Sequence, residues 1–251
     1  MVYTSLIEAP RNFKEGVDWL VALRGTNGRK NLAAMGAAVY DFLADKPVGL
    51  LLVPSLEKVK RLSKEFLEQK DLEDKSYVKD LLGKFDGPMD KNSRSLKHLS
   101  GNFGSDYKNV VKSRGFKPDD IARNVGAIVS NCEMLLKNIK NPDHYNSAYS
   151  SEATWEASCA ENPEACAVVL VGIAPMLYAG LVSLWDATNP VMFGSTTTAD
   201  ADLRKLVKAL GYVEPECRDS LNRFNVRRAL VDMNKIILPT IYEIAGFWAF
   251  Y

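Results

Sequence analysis

Apolar residues recur along most of this chain with the 3.6-residue period of amphipathic helices. Asn12 is placed to cap a first helix, and Glu15 three residues on completes a capping-box-like pair. Phe13, Val17, Leu20 and Val21 form its apolar face, with Trp19 beside it. Gly25-Thr-Asn-Gly28 then breaks the chain, because Gly and Asn supply the positive φ of a turn. A second helix is predicted from about Arg29 to Leu43, with Leu32, Met35, Val39 and Phe42 on one side. The run Leu50–Val53 suits a strand by periodicity alone, but it is brief and abuts Pro54, so it reads as a buried connector. Ser55 is placed to cap a third helix carrying Leu56, Val59, Leu62 and Phe66. Tyr77, Val78, Leu81, Leu82 and Phe85 mark a fourth.

Residues 86–116 change character. They are rich in Gly, Ser, Asn, Asp and Lys, which predicts a mobile basic insertion with a short helix around Ser105–Ser113. Helical spacing returns at Pro118, a favoured first-turn residue, and runs through Ile121, Val125, Ile128, Val129, Cys132, Leu135, Leu136 and Ile139. Asn141-Pro142 stops it. Tyr145, Tyr149 and Trp155 belong to a further helical or irregular segment. Two or three helices close the chain. One carries Leu203, Leu206, Val207 and Leu210, another Val226, Leu230 and Met233, and the last starts near Lys235.

The most unusual stretch follows Asn162-Pro163-Glu164, a cap, a first-turn proline and an acid facing the helix dipole. From Ala165 to Trp185 there are 21 residues without a charge. Such a run is long enough to span a bilayer. It also contains Gly172, Pro175, Gly180 and Ser183, and acidic residues flank it where topology signals would be basic. The favoured reading is a central helix buried by its neighbours and bent at Pro175. The fold expectation is therefore all-α, a bundle of about 8–10 helices around an apolar helix at about 163–187. One domain spans 1–251, with a helical part 10–85, the insertion 86–116 and a helical part 117–251.

Composition adds little: 47% hydrophobic and 25% charged residues are ordinary for a globular protein. The net charge of +1 hides an asymmetry, since residues 1–116 carry 20 Lys and Arg against 15 Asp and Glu. The basic stretch reads first as a solvated loop. The alternative is a contact made by Lys97, Lys108, Lys112 and Arg114 with nucleic acid or anionic lipid. The N-terminus has no secretory signal pattern, and no Asn-x-Ser/Thr acceptor occurs.

Candidate chemistry is sparse. The four cysteines, Cys132, Cys159, Cys166 and Cys217, allow three pairings. Cys159 and Cys166 bracket a predicted helix start and can close a small loop in an oxidising compartment; the other reading is buried free thiols. No CxxC occurs, and His98 and His144 stand alone in polar contexts, so no metal site, cofactor site or catalytic residue is expected. Gly25–Gly28 and Gly101–Gly104 lack the lysine and the strand of a phosphate loop. The acid pairs Glu65/Glu68 and Asp71/Asp74 read as solvated surface. The ending Ala245-Gly-Phe-Trp-Ala-Phe-Tyr251 reads as a last helix docked in the core, or as one that continues into a longer chain.

Four phrases carry a family resemblance: EAPRNFKEGVDWLVAL, YSSEATWEASCAENPEACAVVLVGIAPMLYAGL, LGYVEPECR and AGFWAFY. They resemble a lineage-expanded family of the Babesia parasites of red blood cells. The opening phrase is similar to the N-terminal region of their variant erythrocyte surface antigens. The resemblance implies a non-enzymatic helical protein, exported to the infected red-cell surface without a conventional signal peptide. Such antigens serve antigenic variation and adhesion. They are much larger and carry a membrane segment near their C-terminus, and no functional residue transfers to this chain. The expected partner is an unidentified host or parasite protein, with neither nucleic acid nor membrane contacted. The alternative is an intracellular scaffold in the parasite cytoplasm that binds protein, anionic lipid or RNA through residues 84–117.

Overall fold

A helix that is apolar all round must be covered all round, and the architecture follows from that need. The computed structural model describes residues 2–89, 107–139, 145–189, 196–214, 221–231 and 237–251. In it the central helix, α8, runs Pro163–Ala187 and passes unbroken through Pro175. Asn162 caps it by accepting from the Ala165 amide, with Pro163 in the first turn. Every residue from Cys166 to Leu184 is buried. This is the one described helix long and apolar enough to cross a membrane, yet 94% of its most apolar window is covered by protein.

The cover is built from both halves of the chain. Helices α1 (Phe13–Arg24), α2 (Gly28–Ala44), α3 (Pro54–Leu67) and α4 (Ser76–Asp86) pack on α8 from the N-terminal half. Helices α9 (Thr196–Ala209), α10 (Arg223–Ala229) and α11 (Leu238–Ile244) pack on it from the other. Helix α6 (Pro118–Ile139) forms a second layer on α2, α1 and α10. Three short turns fill the gaps: α5 (Val110–Arg114), α7 (Trp155–Ser158) and α12 (Phe247–Phe250). The fold is an all-α bundle around a buried apolar helix, with one continuous core in which Trp19, Phe66, Tyr178 and Trp248 are fully enclosed.

Several local expectations need correction. Leu50–Val53 is not a buried connector: Leu50 is 68% and Leu52 81% exposed. An extended chain sends alternate side chains to opposite sides, and only Leu51 and Val53 reach the core. Ser55 does not cap α3, which starts one residue earlier at Pro54 after an extended Val53. The last predicted helix is broken between Ile244 and Phe247, where Gly246 takes φ 69° and the Phe250 ring lies against it. Residues 107–116 of the expected mobile insertion are fastened to α2. Asn109 Nδ2 donates to the carbonyls of Leu43, Ala44 and Lys46 at 2.9–3.4 Å, and Val111 is buried. The remainder, 90–106, lies outside the described residues.

Helices α2 and α6 meet backbone to backbone at Gly36. A methyl group there would sit 2.5 Å from the Ala122 amide nitrogen, closer than a real side chain comes. Gly36→Ala should therefore destabilise the protein by about 1–3 kcal/mol, the usual cost of overpacking. Gly83 is also helical but has open space around it, so Gly83→Ala should stabilise by roughly 0.5–1 kcal/mol. Urea unfolding of the two variants against the parent checks the contrast; a neutral Gly36→Ala would refute the close approach.

Candidate functional site

A dense polar assembly lies where residues 2–12 run beside residues 145–160, the two stretches together forming a strap over α1. Tyr3 forms a parallel bridge with Tyr149, its amide donating to Ala148 O at 2.8 Å and its carbonyl accepting from Ser150 N at 2.9 Å. The Leu6 amide donates to Ser158 Oγ at 3.0 Å, and Trp19 Nε1 donates to Leu6 O at 2.7 Å. The Glu15 carboxylate gathers the Tyr3 hydroxyl, the Arg11 amide and the Asn12 side-chain amide at 2.8–3.0 Å. Asn12 Oδ1 accepts from the Glu15 amide in return, so the predicted capping pair is present and also anchors the strap.

Beneath the strap lies a buried ion pair that the sequence pattern does not reveal. Lys14 and Asp18 are 7% and 3% exposed, with Nζ 3.1 Å from Oδ2. Asp18 also accepts from the Ala148 amide at 2.9 Å and from the Tyr145 hydroxyl. Lys14 also donates to Asn146 O at 2.8 Å. Burial pushes the Asp18 carboxyl above the ordinary range and outweighs the opposing pull of Lys14 and the hydrogen bonds. Neither charge is free for chemistry; the pair fixes strap to helix.

Cys159 and Cys166 are joined in a disulfide, with Cα atoms 5.9 Å apart. The bridge ties the end of α7 to the start of α8 and closes the loop Ala160–Ala165, of which Ala160–Glu164 are exposed. Glu161 and Glu164 lie on this loop, with Glu152 and Glu156 exposed on the approach to it. Val2 and Ile7 on the strap are also exposed. The result is an acidic, partly apolar surface held by covalent and polar ties. Cys132 is a free buried thiol, pushed up to about 12 by burial, and Cys217 lies outside the described residues. Closing so short a loop confines the unfolded chain by about 2–3 kcal/mol. Replacing both bridge cysteines, Cys159→Ser with Cys166→Ser, should lower unfolding stability by that amount under non-reducing conditions, and added dithiothreitol should then have no further effect.

Of the four basic residues of the expected contact segment, three lie among the described residues. Lys97 lies outside the described residues, as do His98 and His144. Lys108 is exposed, and Lys112 pairs with Asp45 at 3.1 Å. Arg114 is engaged with Glu243 of α11 at 2.6 Å. The Glu243 carboxyl is raised by burial, and Arg114 opposes that shift. Each acid of the two surface pairs faces a cation: Glu65 with Arg61, Glu68 with Lys64, Asp71 with Lys205 and Asp74 with Lys79. Among the described residues, no three His, Cys, Asp or Glu side chains are grouped to hold a metal ion.

A cleft among the described residues is large enough for a small group. It has a volume of about 390 Å³ and lies between the start of α4, the end of α8 and α9, lined by Lys75, Tyr77, Asp186, Asp202 and Leu206. The Tyr77 hydroxyl is 2.7 Å from Ser183 Oγ, so those two groups engage each other. Burial raises the Asp186 carboxyl, with Lys75 opposing. A carboxyl whose pKa is higher folded than unfolded binds protons more tightly in the native state. Its contribution to stability therefore falls as pH rises from about 4 through the folded value. Relative to the parent, Asp186→Asn should be more stabilising at about pH 7 than at about pH 4. Thermal melts at the two pH values decide this, and an equal difference at both would contradict the raised carboxyl.

Comparisons with protein-family models, with curated proteins and with solved structures find no match to this chain.

Proposed function

We propose that this chain is a non-enzymatic recognition domain of a piroplasm parasite, antigen-like, acting by protein contacts outside the reducing cytosol. The observation that carries the reading is the disulfide between Cys159 and Cys166, which holds an exposed acidic loop on the end of the core helix. Such bridges persist in oxidising surroundings and are rare in the cytosol. The arrangement of the resembling phrases supports it further. Glu8–Leu23 and Tyr149–Leu181 meet in the strap, and Leu210-Gly211 abuts them, with the Lys14 amide donating to Leu210 O at 2.9 Å. Three of the four phrases therefore meet through their described residues, and the acidic disulfide loop, with Val2 and Ile7, is exposed beside them.

The intracellular scaffold alternative draws less support, because Arg114 of the basic segment is engaged with Glu243. Immunofluorescence on unpermeabilised infected red cells, with antibody raised to the folded chain, tests the proposal. Surface staining that is lost after brief trypsin treatment is the expected outcome. Staining seen only after permeabilisation would overturn it.

A further inference from the structure

The corner between α2 and α3 carries an apolar ridge that the fold leaves bare. The chain bends at Val48-Gly49, where Gly49 takes φ 139°, and runs free of helix from Leu50 to Val53; the amides of Gly49 and Leu51 donate to the carbonyls of Trp248 and Ala249 at 2.9 and 2.7 Å. Those two bonds clamp one edge of the segment to α12. Leu51 and Val53 point into the core, while Val48, Leu50 and Leu52 stand outward, 40%, 68% and 81% exposed. Three large apolar side chains in alternation on a tethered segment cannot fold away into the protein.

The flank of this ridge is basic. Asn109 binds the carbonyls of Leu43, Ala44 and Lys46, which sets Tyr107 and Lys108 beside the turn that leads to the ridge. Tyr107 is 46% exposed. Residues 107–117 contain no acid; Arg114 there is engaged with Glu243, so Lys108, together with Lys46 of the turn, carries the flank. Asp45 is the acid of the turn, and Lys112 answers it. Protruding aliphatic side chains, an amphipathic Tyr and surrounding lysines match the boundary between the acyl chains and the headgroups of an anionic bilayer. A protein partner fits less well. A stable interface needs about 1,000 Å² with complementary shape, and this is a narrow ridge rather than a groove. A second copy meeting it about a two-fold axis would set like charges against each other.

We propose that the Val48–Leu50–Leu52 ridge and its lysine flank dock this face of the protein on an anionic lipid bilayer. This is independent of where the protein resides and of the acidic disulfide surface. The test is co-sedimentation of the full chain with vesicles of phosphatidylcholine mixed with phosphatidylserine, and with vesicles of phosphatidylcholine alone. The mixed vesicles should bind the protein, and binding should weaken with added salt. Leu50→Asp with Leu52→Asp should reduce binding about tenfold or more; both side chains are exposed, so the circular-dichroism melt should stay unchanged. Lys46→Glu with Lys108→Glu should abolish the preference for phosphatidylserine. Leu52→Trp should shift to bluer emission on adding mixed vesicles, which electrostatic adherence alone would not produce. Absence of binding to mixed vesicles, binding indifferent to the aspartates, or a dimer in sedimentation velocity that the aspartates dissociate would each overturn the proposal.

Discussion

Helix α8 has no polar face, and the rest of the structure is arranged to answer that lack. Its backbone is satisfied internally, but its side chains from Cys166 to Leu184 have nothing to offer water. A single neighbour shields one stripe, so several must surround it. Small residues let them approach: Gly180 takes the Phe13 ring of α1, and Gly172 takes Leu56 and Val59 of α3. At that second contact Ser63 Oγ donates to Gly172 O at 2.6 Å, a hydrogen bond between layers in an otherwise apolar seam. The C-terminal aromatics complete the cover, with Phe250 stacked on Phe42 and Tyr251 edge-on to Phe85.

Apolar packing alone does not select one arrangement of so many helices, since hydrophobic contact is non-directional. The strap supplies direction. Lys14 and Asp18 are satisfied only when residues 145–148 lie over α1, because Asn146 O, Ala148 N and the Tyr145 hydroxyl complete their bonds. A buried pair of this kind adds little net stability against an apolar substitute, but one stripped of its partners is costly. The pair therefore penalises any docking of the strap that misses this register. The disulfide fixes the far end of the same segment to α8.

The helices and their apolar faces were legible in the sequence because their spacing is local: α6 was bounded by Pro118 and buried the eight residues its period named. What was not legible depends on partners far along the chain. Lys14 and Asp18 sit one turn apart and look like a solvated i,i+4 pair; residues 145–148, which complete their bonds, lie about 130 residues on. Arg114 looked like a free base, and its partner Glu243 is on α11. The Leu50–Val53 run was misread for another reason. Four apolar residues in a row suggest full burial, but an extended chain shows half of them to each side, and nothing described covers the outer half.

The near-zero net charge also conceals more than its value suggests. Two stretches of opposite sign are held by rigid ties: residues 107–117, without an acid, are fixed by Asn109 to α2, and the glutamates of 152–164 are fixed by the bridge to α8. Charges on tethered backbone lose little entropy when they meet a partner, whereas charges on a loose loop must be ordered first. Fields from such patches decay within about a Debye length, roughly 8 Å at physiological salt. Each patch therefore acts at contact range, and the whole-molecule charge of +1 predicts neither. The closed core contributes to both patches only by holding their backbone in place.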